Sequence, residues 1–394
     1  MIFGQFFKIF LYTILFLGLD GSCKKNHHPD SNETPANKKF YNWNIFSMGA
    51  DLSYVNEIED HSGIYKDSGI SKDPFLIFKN HGANVVRVRL WHNPQWVGDL
   101  NNGKLYSDLK DVEKTMSRAK SFGLAVNLDL HYSDEWADPG HQLTPAAWNN
   151  LDLPGLKDSV YQYTLFILNY FKSKNLIPEM IQIGNETNQG MLFPVGKVEG
   201  DNWINFGELL KSGIKAVRDF SVSADKKPQI ILHVAQLKNA DWWVDNVTMK
   251  GGVSDFDILG ISHYYVYDNI ITMNEIGNSI SALRTKYNKK VMIVETAYPW
   301  TNQSADSYTN VTSGNNPWNG YPVSKESQYN YIKDLTQQVI SAGGVGVMYW
   351  EPAWITSSMK DKWGTGSSWE NNAMFDFQGN ALPAMDYMNY AYKF

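Results

Sequence analysis

The run Ile181-Gln182-Ile183-Gly184-Asn185-Glu186-Thr187-Asn188-Gln189-Gly190 begins as an alternating apolar segment and ends in an amide, a carboxylate and small polar residues. A buried strand that finishes this way delivers an acid to a pocket, because the last side chains of a strand sit at the mouth of a sheet or barrel, held rigidly yet meeting solvent. Seven other short apolar runs share this texture: Ser47 to Leu52, Val85 to Leu90, Ala125 to His131, Gln229 to Ala235, Asp257 to Tyr264, Lys290 to Thr296 and Gly344 to Glu351; with Met180 to Glu186 they make eight. Helical patterns fall between them, among them Leu109 to Phe122, Leu156 to Lys174, Trp203 to Phe220, Met273 to Tyr287 and Lys325 to Ala342. Strands apolar along their whole length are buried on both faces, so the alternation describes a parallel sheet covered by helices, and eight such units close into a (β/α)8 TIM barrel. No linker-like stretch interrupts residues 40–394, which are therefore expected to form one catalytic domain.

Chemistry in such a barrel sits at the C-terminal ends of the strands. Those ends are unusually polar here: Asp51 after the first strand, Arg87 and Arg89 to His92 on and after the second, Asp129, His131 and Asp134 after the third, Asn185 and Glu186 after the fourth, His263 and Tyr264 after the sixth, Glu295 after the seventh and Trp350-Glu351 after the eighth. The connections after strands three, seven and eight are long and rich in Gly, Pro and aromatic residues, as functional loops tend to be. The segments from Ser133 through Trp136 to Gly140, and from Trp363 to Trp369, are expected to wall a groove open at both ends, which suits internal attack on a polymer.

Composition points the same way. The formal net charge of -6 argues against nucleic acid, whose binding needs a basic footprint. The 14 Trp and 22 Tyr exceed what a core requires, and they offer flat apolar faces with a polar edge, which suit sugar rings; taken singly, each is also a plausible core residue. Cys23 is the one cysteine, so no intrachain disulfide and no cysteine-based metal site exists. Residues 1–23, an apolar run to Leu19 followed by Asp20-Gly21-Ser22-Cys23, read as a secretory signal. The segment resembles a bacterial lipoprotein signal, with Cys23 as the lipidation site, although Asp20 replaces the usual apolar residue and an ordinary signal peptide is the alternative. Residues 24–39 are polar and read as a flexible tether. An exported lipoprotein follows, held at the cell surface or facing the periplasm, with a membrane contact through the lipid alone and a monomeric catalytic domain.

Two carboxylates at the ends of strands four and seven face one another across the pocket, and opposed carboxylates are the apparatus of glycoside hydrolysis. Glu186 and Glu295 are this pair. At about 5–5.5 Å separation one attacks the anomeric carbon and the other protonates the leaving oxygen, with retention; a wider gap means inversion. Their environments must push the two pKa values apart, and Arg89 and Tyr264 are the groups expected beside the ionised Glu295. Arg87 or Arg89 is alternatively a buried partner of Asp51, with strand alternation expected to turn one of the two inward. His131 and His263 have an alternative role as hydrogen-bonded core residues, which for His263 stands on equal terms with a sugar contact. No tight ligand spacing such as His-Glu-x-x-His occurs, so no catalytic metal and no cofactor is expected.

Several motifs lie in one chain: Gly49-Ala50-Asp51-Leu52-Ser53, Asn84 through Arg87-Val88-Arg89-Leu90-Trp91-His92-Asn93-Pro94, the His131 to Pro139 segment, Gly184-Asn185-Glu186-Thr187-Asn188, Glu295-Thr296-Ala297-Tyr298-Pro299-Trp300, Tyr349-Trp350-Glu351-Pro352-Ala353-Trp354 and Asn372 to Phe377 with Ala381-Leu382-Pro383. On these the chain resembles glycoside hydrolase family 53, the arabinogalactan endo-β-1,4-galactanases, over nearly the whole domain. The resemblance implies a retaining enzyme with Glu186 as acid/base and Glu295 as nucleophile, Asn185 on the sugar 2-hydroxyl and Trp350 flooring the reacting-sugar subsite. It also implies β-1,4-galactan as substrate, with Asp51, Arg89, His131, Asp134, Trp136, His263, Tyr264 and Trp300 as further binding residues. The chain departs from the family after strand six, where Ser262-His263-Tyr264-Tyr265-Val266-Tyr267 lacks the usual Pro. Some bacterial members bind a structural calcium between the last two long loops; the segment Thr301 to Asn316 offers Asp306 and several Asn but no dense acidic run, which argues against calcium here. The alternatives are another retaining endo-β-glycanase of the same clan, a β-glucanase or mannanase, and a non-catalytic glycan-capture protein, against which both carboxylates and Asn185 speak.

Overall fold

The computed structural model describes residues 38–268 and 272–394. Eight parallel strands close into a barrel: β1 (Ser47–Asp51), β2 (Val85–Leu90), β3 (Ala125–Leu130), β4 (Met180–Ile183), β5 (Gln229–Ala235), β6 (Ile258–Ser262), β7 (Lys290–Glu295) and β8 (Gly346–Tyr349), with β1 paired to both β2 and β8. Helices return the chain between them, at Pro74–Asn80, Leu109–Ser121, Leu153–Ser173, Ile204–Ser223, Leu237–Met249, Met273–Tyr287 and Lys325–Ser341; a 3-10 segment, Pro383–Asn389, follows β8. The expected (β/α)8 architecture is what is found, and the described residues fall in one compact unit. The signal segment 1–23, Cys23 and the tether up to residue 37 lie outside the described residues.

Differences at element ends have local causes. The helix predicted from Leu156 starts at Leu153, because Asp152 caps it by accepting the Gly155 N–H and Pro154 occupies its first turn. β4 stops at Ile183 instead of reaching Glu186, because Gly184 and Glu186 take left-handed backbone angles, φ 85° and 47°. β8 likewise ends at Tyr349, and Glu351 has φ 43°.

The barrel interior changes character from base to mouth. At the base, Val85, Ala125, Met180, Ile231, Ile258, Met292, Val294 and Met348 form an apolar plug closed from below by Trp43 and Val345. The next residues of the same strand faces are polar: Arg87 follows Val85, Asn127 and Asp129 follow Ala125, Gln182 follows Met180, and His233 follows Ile231. Side chains two apart on a strand share a face, so Arg87 and Arg89 both point inward in successive layers, and the expectation that alternation would separate them was mistaken. The outward faces, such as Val86, Val88 and Leu90, pack into the main core under the helices. One irregularity matters for chemistry: β6 and β7 pair Ile261 with Ile293 and then Ser262 with Glu295, so Val294 is extra. This bulge turns Glu295 inward although Met292 and Val294 already line the interior.

Candidate active site

The strand ends open into a cavity of about 620 Å³ lined by Asn185, Glu186, Ser262, Tyr264 and Glu295 at its floor and by Trp136, Trp350, Trp354, Trp363 and Trp369 on its walls. Glu186 leaves β4 through Gly184, whose positive φ no other residue adopts easily, and a Cβ there would meet Thr187 Cγ2 at 2.7 Å. Glu186 itself is held in a left-handed conformation, the sort of backbone strain that collects at functional sites. The neighbouring Asn185 amide is oriented on both sides: Arg87 donates to its Oδ1 at 2.9 Å, His233 Nδ1 lies 3.0 Å from the same oxygen, and its Nδ2 donates to the Ala137 carbonyl at 2.7 Å.

The two carboxylates differ in their partners. Arg87 Nη2 contacts Glu295 Oε1 at 2.7 Å, and the Tyr264 hydroxyl donates to Glu295 Oε2 at 3.0 Å. Arg87 is in turn fixed by Asp51 at 2.6 Å, Asp129 at 2.7 Å and Gln182 at 2.9 Å. Burial raises the pKa of both glutamates. For Glu295, Arg87 and Tyr264 oppose that rise while Asp129 and Asp51 add to it. For Glu186, the charge of Glu295 adds to the effect of burial and Ser262 opposes it. Two carboxylates interacting in this way release their protons in two steps that belong to the pair. The group with the cationic partner favours the anion, and its neighbour holds the proton.

Of the residues expected to bind substrate, Trp136, Asn185, Tyr264 and Trp350 line this cavity. The other six are placed elsewhere. Arg89, expected beside Glu295, is instead bonded to Glu351 at 2.5 Å and stacked among aromatic rings; Arg87, one turn of the pleat deeper, takes the place at Glu295. Asp51 is buried on Arg87 and the Ser53 hydroxyl. His131 is buried with Nε2 on Asp129 and Nδ1 receiving the Trp91 and Ala137 N–H groups. Asp134 organises its loop, accepting from the Asn93 and Ala146 backbone N–H groups. His263 is fully buried on Asp268 at 2.7 Å, the core role that was its alternative. Trp300 packs on Phe377 and donates to the Glu370 carbonyl, away from the cavity. In the altered segment after β6, Tyr265 turns inward onto Tyr298 and Tyr331, while Tyr267 lines the cavity.

The matching family model is that of glycosyl hydrolase family 53, over residues 47–388. The chain belongs to that family. It is 43% identical over 353 residues to an arabinogalactan endo-β-1,4-galactanase of Cellvibrio japonicus, covering 88% of this chain and 92% of that protein. An endo-β-1,4-galactanase of Bacillus subtilis is 31% identical over 385 residues, covering 88% of this chain and 86% of that one. Among solved structures, the family 53 catalytic domain of Ignisphaera aggregans superimposes with a TM-score of 0.81 at 34% identity, covering 91% of this chain and all of that one, 100%. This family 53 chain is therefore a glycoside hydrolase.

Its walls contain residues that no strand-end inventory names: Gln236, Tyr308, Val311 and Asp361. Tyr308, Val311 and Asp361 come from the β7 and β8 connections, where only the aromatic richness of the loops was a signal, and Gln236 directly follows β5, where the sequence carries none. Calcium does not fit the β7 connection. Asp306 spends Oδ2 on the Thr356 hydroxyl at 2.6 Å and the Ser367 N–H at 2.9 Å, and Oδ1 on the Tyr308 N–H at 2.7 Å. Among the described residues no three His, Cys, Asp or Glu side chains are grouped to hold a metal ion.

Proposed function

We propose that this family 53 hydrolase is an endo-acting β-1,4-galactanase that works by double displacement, with Glu295 as nucleophile and Glu186 as acid/base. The observation that carries the assignment is the asymmetry of the pair: both line one cavity, yet Arg87 and Tyr264 bond Glu295 and neither bonds Glu186. An ionised Glu295 attacks the anomeric carbon while protonated Glu186 gives its proton to the departing glycosidic oxygen. Glu186, now a carboxylate, then takes a proton from the water that hydrolyses the glycosyl-enzyme. Asn185, with one Nδ2–H engaged by Ala137, offers the other to the sugar 2-hydroxyl, a bond that strengthens in the transition state. Trp350 supplies the apolar floor for the reacting sugar and Trp136 the adjoining wall.

The substrate comes from the galactanases to which the chain is similar. Internal cleavage accords with walls built from three long loops and with Trp363, 61% exposed at the rim, which extends the aromatic surface beyond the reacting centre. Secretion as a lipoprotein anchored through Cys23 accompanies this reading; palmitate labelling that persists in a Cys23→Ser variant would remove it. Glu295→Gln is expected to lose hydrolysis of linear galactan by roughly the 10³-fold or more that separates a catalytic carboxylate from an amide, while galacto-oligosaccharide binding persists. Wild-type turnover in that variant would overturn the assignment, and product anomers followed by NMR from the wild type distinguish retention from inversion.

A further inference from the structure

Arg89 and Glu351 form a buried ion pair that the chemistry above does not use. They are 1% and 0% exposed, and they join the end of β2 to the second residue after β8. The Arg89 guanidinium is enclosed by aromatic faces, with its central carbon 3.9 Å from the Tyr54 ring centroid, 4.3 Å from Trp136 and 4.8 Å from Trp91. Nε and Nη2 have no hydrogen-bond partner among the described residues, so the guanidinium is held by the ring faces and by one carboxylate oxygen of Glu351.

Glu351 occupies an equally particular place. Its backbone is left-handed, which a glutamate adopts only when its surroundings impose it. It follows Trp350 directly, and its carbonyl accepts the Trp354 N–H at 3.1 Å. Trp350 and Trp354 both line the cavity, as does Trp136, the ring stacked on Arg89. Trp136 and Trp350 are in turn 5.9 Å apart, and Tyr54 and Trp354 4.5 Å. Three cavity tryptophans from two different loops are thus referred to one ion pair.

We propose that Arg89 and Glu351 are positioning residues: the pair locks the Trp136, Trp350 and Trp354 rings into the relative orientation that binds consecutive sugars of the substrate chain. The proposal rests on the galactanase reading for the identity of that chain. Arg suits the role because its guanidinium is planar and stacks on rings while its edge meets a carboxylate; Lys has a point charge and no plane. Of the three rings on Arg89, Trp136 lines the cavity itself and Tyr54 packs on a second cavity ring, Trp354, so the pair bears directly on the sugar-facing surface.

The test compares substitutions by the binding–turnover split. Arg89→Met keeps volume and removes the plane and charge. It is expected to raise KM for galactan, and Kd for galactotetraose measured in a Glu295→Gln background, by about tenfold, with a smaller change in kcat. The near-ultraviolet circular dichroism of the tryptophans should change with it. Glu351→Gln retains an oxygen for Arg89 and is expected to stay within about threefold of the wild type in KM. Arg118→Met, which removes a half-buried pair with Glu59 and Asp73 outside the cavity, should leave KM and the tryptophan spectrum as they were. If Arg89→Met does not fold, Arg89→Lys decides, since it keeps the charge and loses the stacked plane. A folded variant at Arg89 with wild-type Kd and tryptophan spectrum overturns the proposal. Absence of galactan turnover in the wild type would instead overturn the functional reading, and the spectral comparison would still decide the positioning.

Discussion

Tyr264 donates its phenolic proton to Glu295 Oε2 at 3.0 Å and thereby favours the ionised carboxylate, against the upward push of burial. Tyr264→Phe removes that donor, so the pKa of Glu295 rises further. Under the proposed double displacement, in which Glu295 attacks as the anion, the acidic limb of kcat/KM is expected to move to higher pH by about one unit, as the loss of a hydrogen bond to a charged group of roughly 1.5 kcal/mol implies. The alkaline limb, which the same proposal assigns to loss of the Glu186 proton, should move much less; a pH–rate profile with its acidic limb unmoved would contradict the role given to Tyr264. Residues of this kind were partly legible in the sequence. Glu186, Glu295, Asn185 and Tyr264 stand at strand ends, where position alone points them at the mouth. Arg87 and Arg89 could not be distinguished, because they share a strand face and differ only in depth, and depth depends on where neighbouring strands stagger. His263 was ambiguous for a similar reason: the partner that buries it, Asp268, lies five residues on in a loop whose path no periodicity reveals.

Among elements, the β7 and β8 connections are pinned to one another by side-chain and backbone hydrogen bonds. The Thr356 hydroxyl lies between Asp306 and Glu370, Glu370 accepts the Ala305 N–H at 2.6 Å, the Tyr308 hydroxyl donates to Asp361 at 2.7 Å, and the Val311 N–H meets the Ser368 carbonyl at 2.8 Å. Tyr308, Val311, Asp361 and Ser368 are also wall residues, so the pins that join the loops shape the cavity. Asp306→Ala strands the Ser367 and Tyr308 N–H groups, leaving the Thr356 hydroxyl to Glu370 alone, and is expected to cost about 1–3 kcal/mol of stability in denaturant unfolding and to raise KM. A chelator added to the wild type should leave the melting temperature where it was; a chelator-induced fall would show that a metal holds these loops. At this scale the strands and most helices were legible, since periods of two and of 3.6 residues are local properties. The bulge that aims Glu295 was not, because it is a property of the β6–β7 pairing, and neither were the loop pins, each of which joins residues some ten to seventy positions apart.

Across the whole molecule, polarity is graded along the barrel axis from the apolar plug at the base to a mouth with more buried carboxyl groups than cations to pair them. Arg87 and Arg89 face Asp51, Asp129, Glu295 and Glu351, and Glu57 and Asp111 are buried nearby. Burial, the largest cause in each case, pushes Glu57 up to about 8 and Asp111 up to about 6. A carboxyl group whose pKa is higher in the folded than in the unfolded chain binds more protons when folded. Its stabilising contribution is therefore complete below the unfolded value and is lost as pH rises through the folded one. For Glu57 that window runs from about 4.5 to about 8. On the acid side the sign reverses: His81, 2.8 Å from Asp386, holds that carboxyl at about 2, so its contribution is present above the usual aspartate value of 3.8 and lost as pH falls toward 2. The melting temperature is accordingly expected to be highest at mildly acidic pH and to fall between pH 5 and pH 9, by an amount of order a few kcal/mol in unfolding free energy. Glu57→Gln keeps an oxygen to accept the Asn101 N–H and removes the titration, so it should flatten that slope. Calorimetric scans of the wild type and Glu57→Gln at pH 5, 7 and 9 decide the matter: a wild-type melting temperature that is level or rising across the series would mean that these carboxyls ionise in the folded barrel without cost.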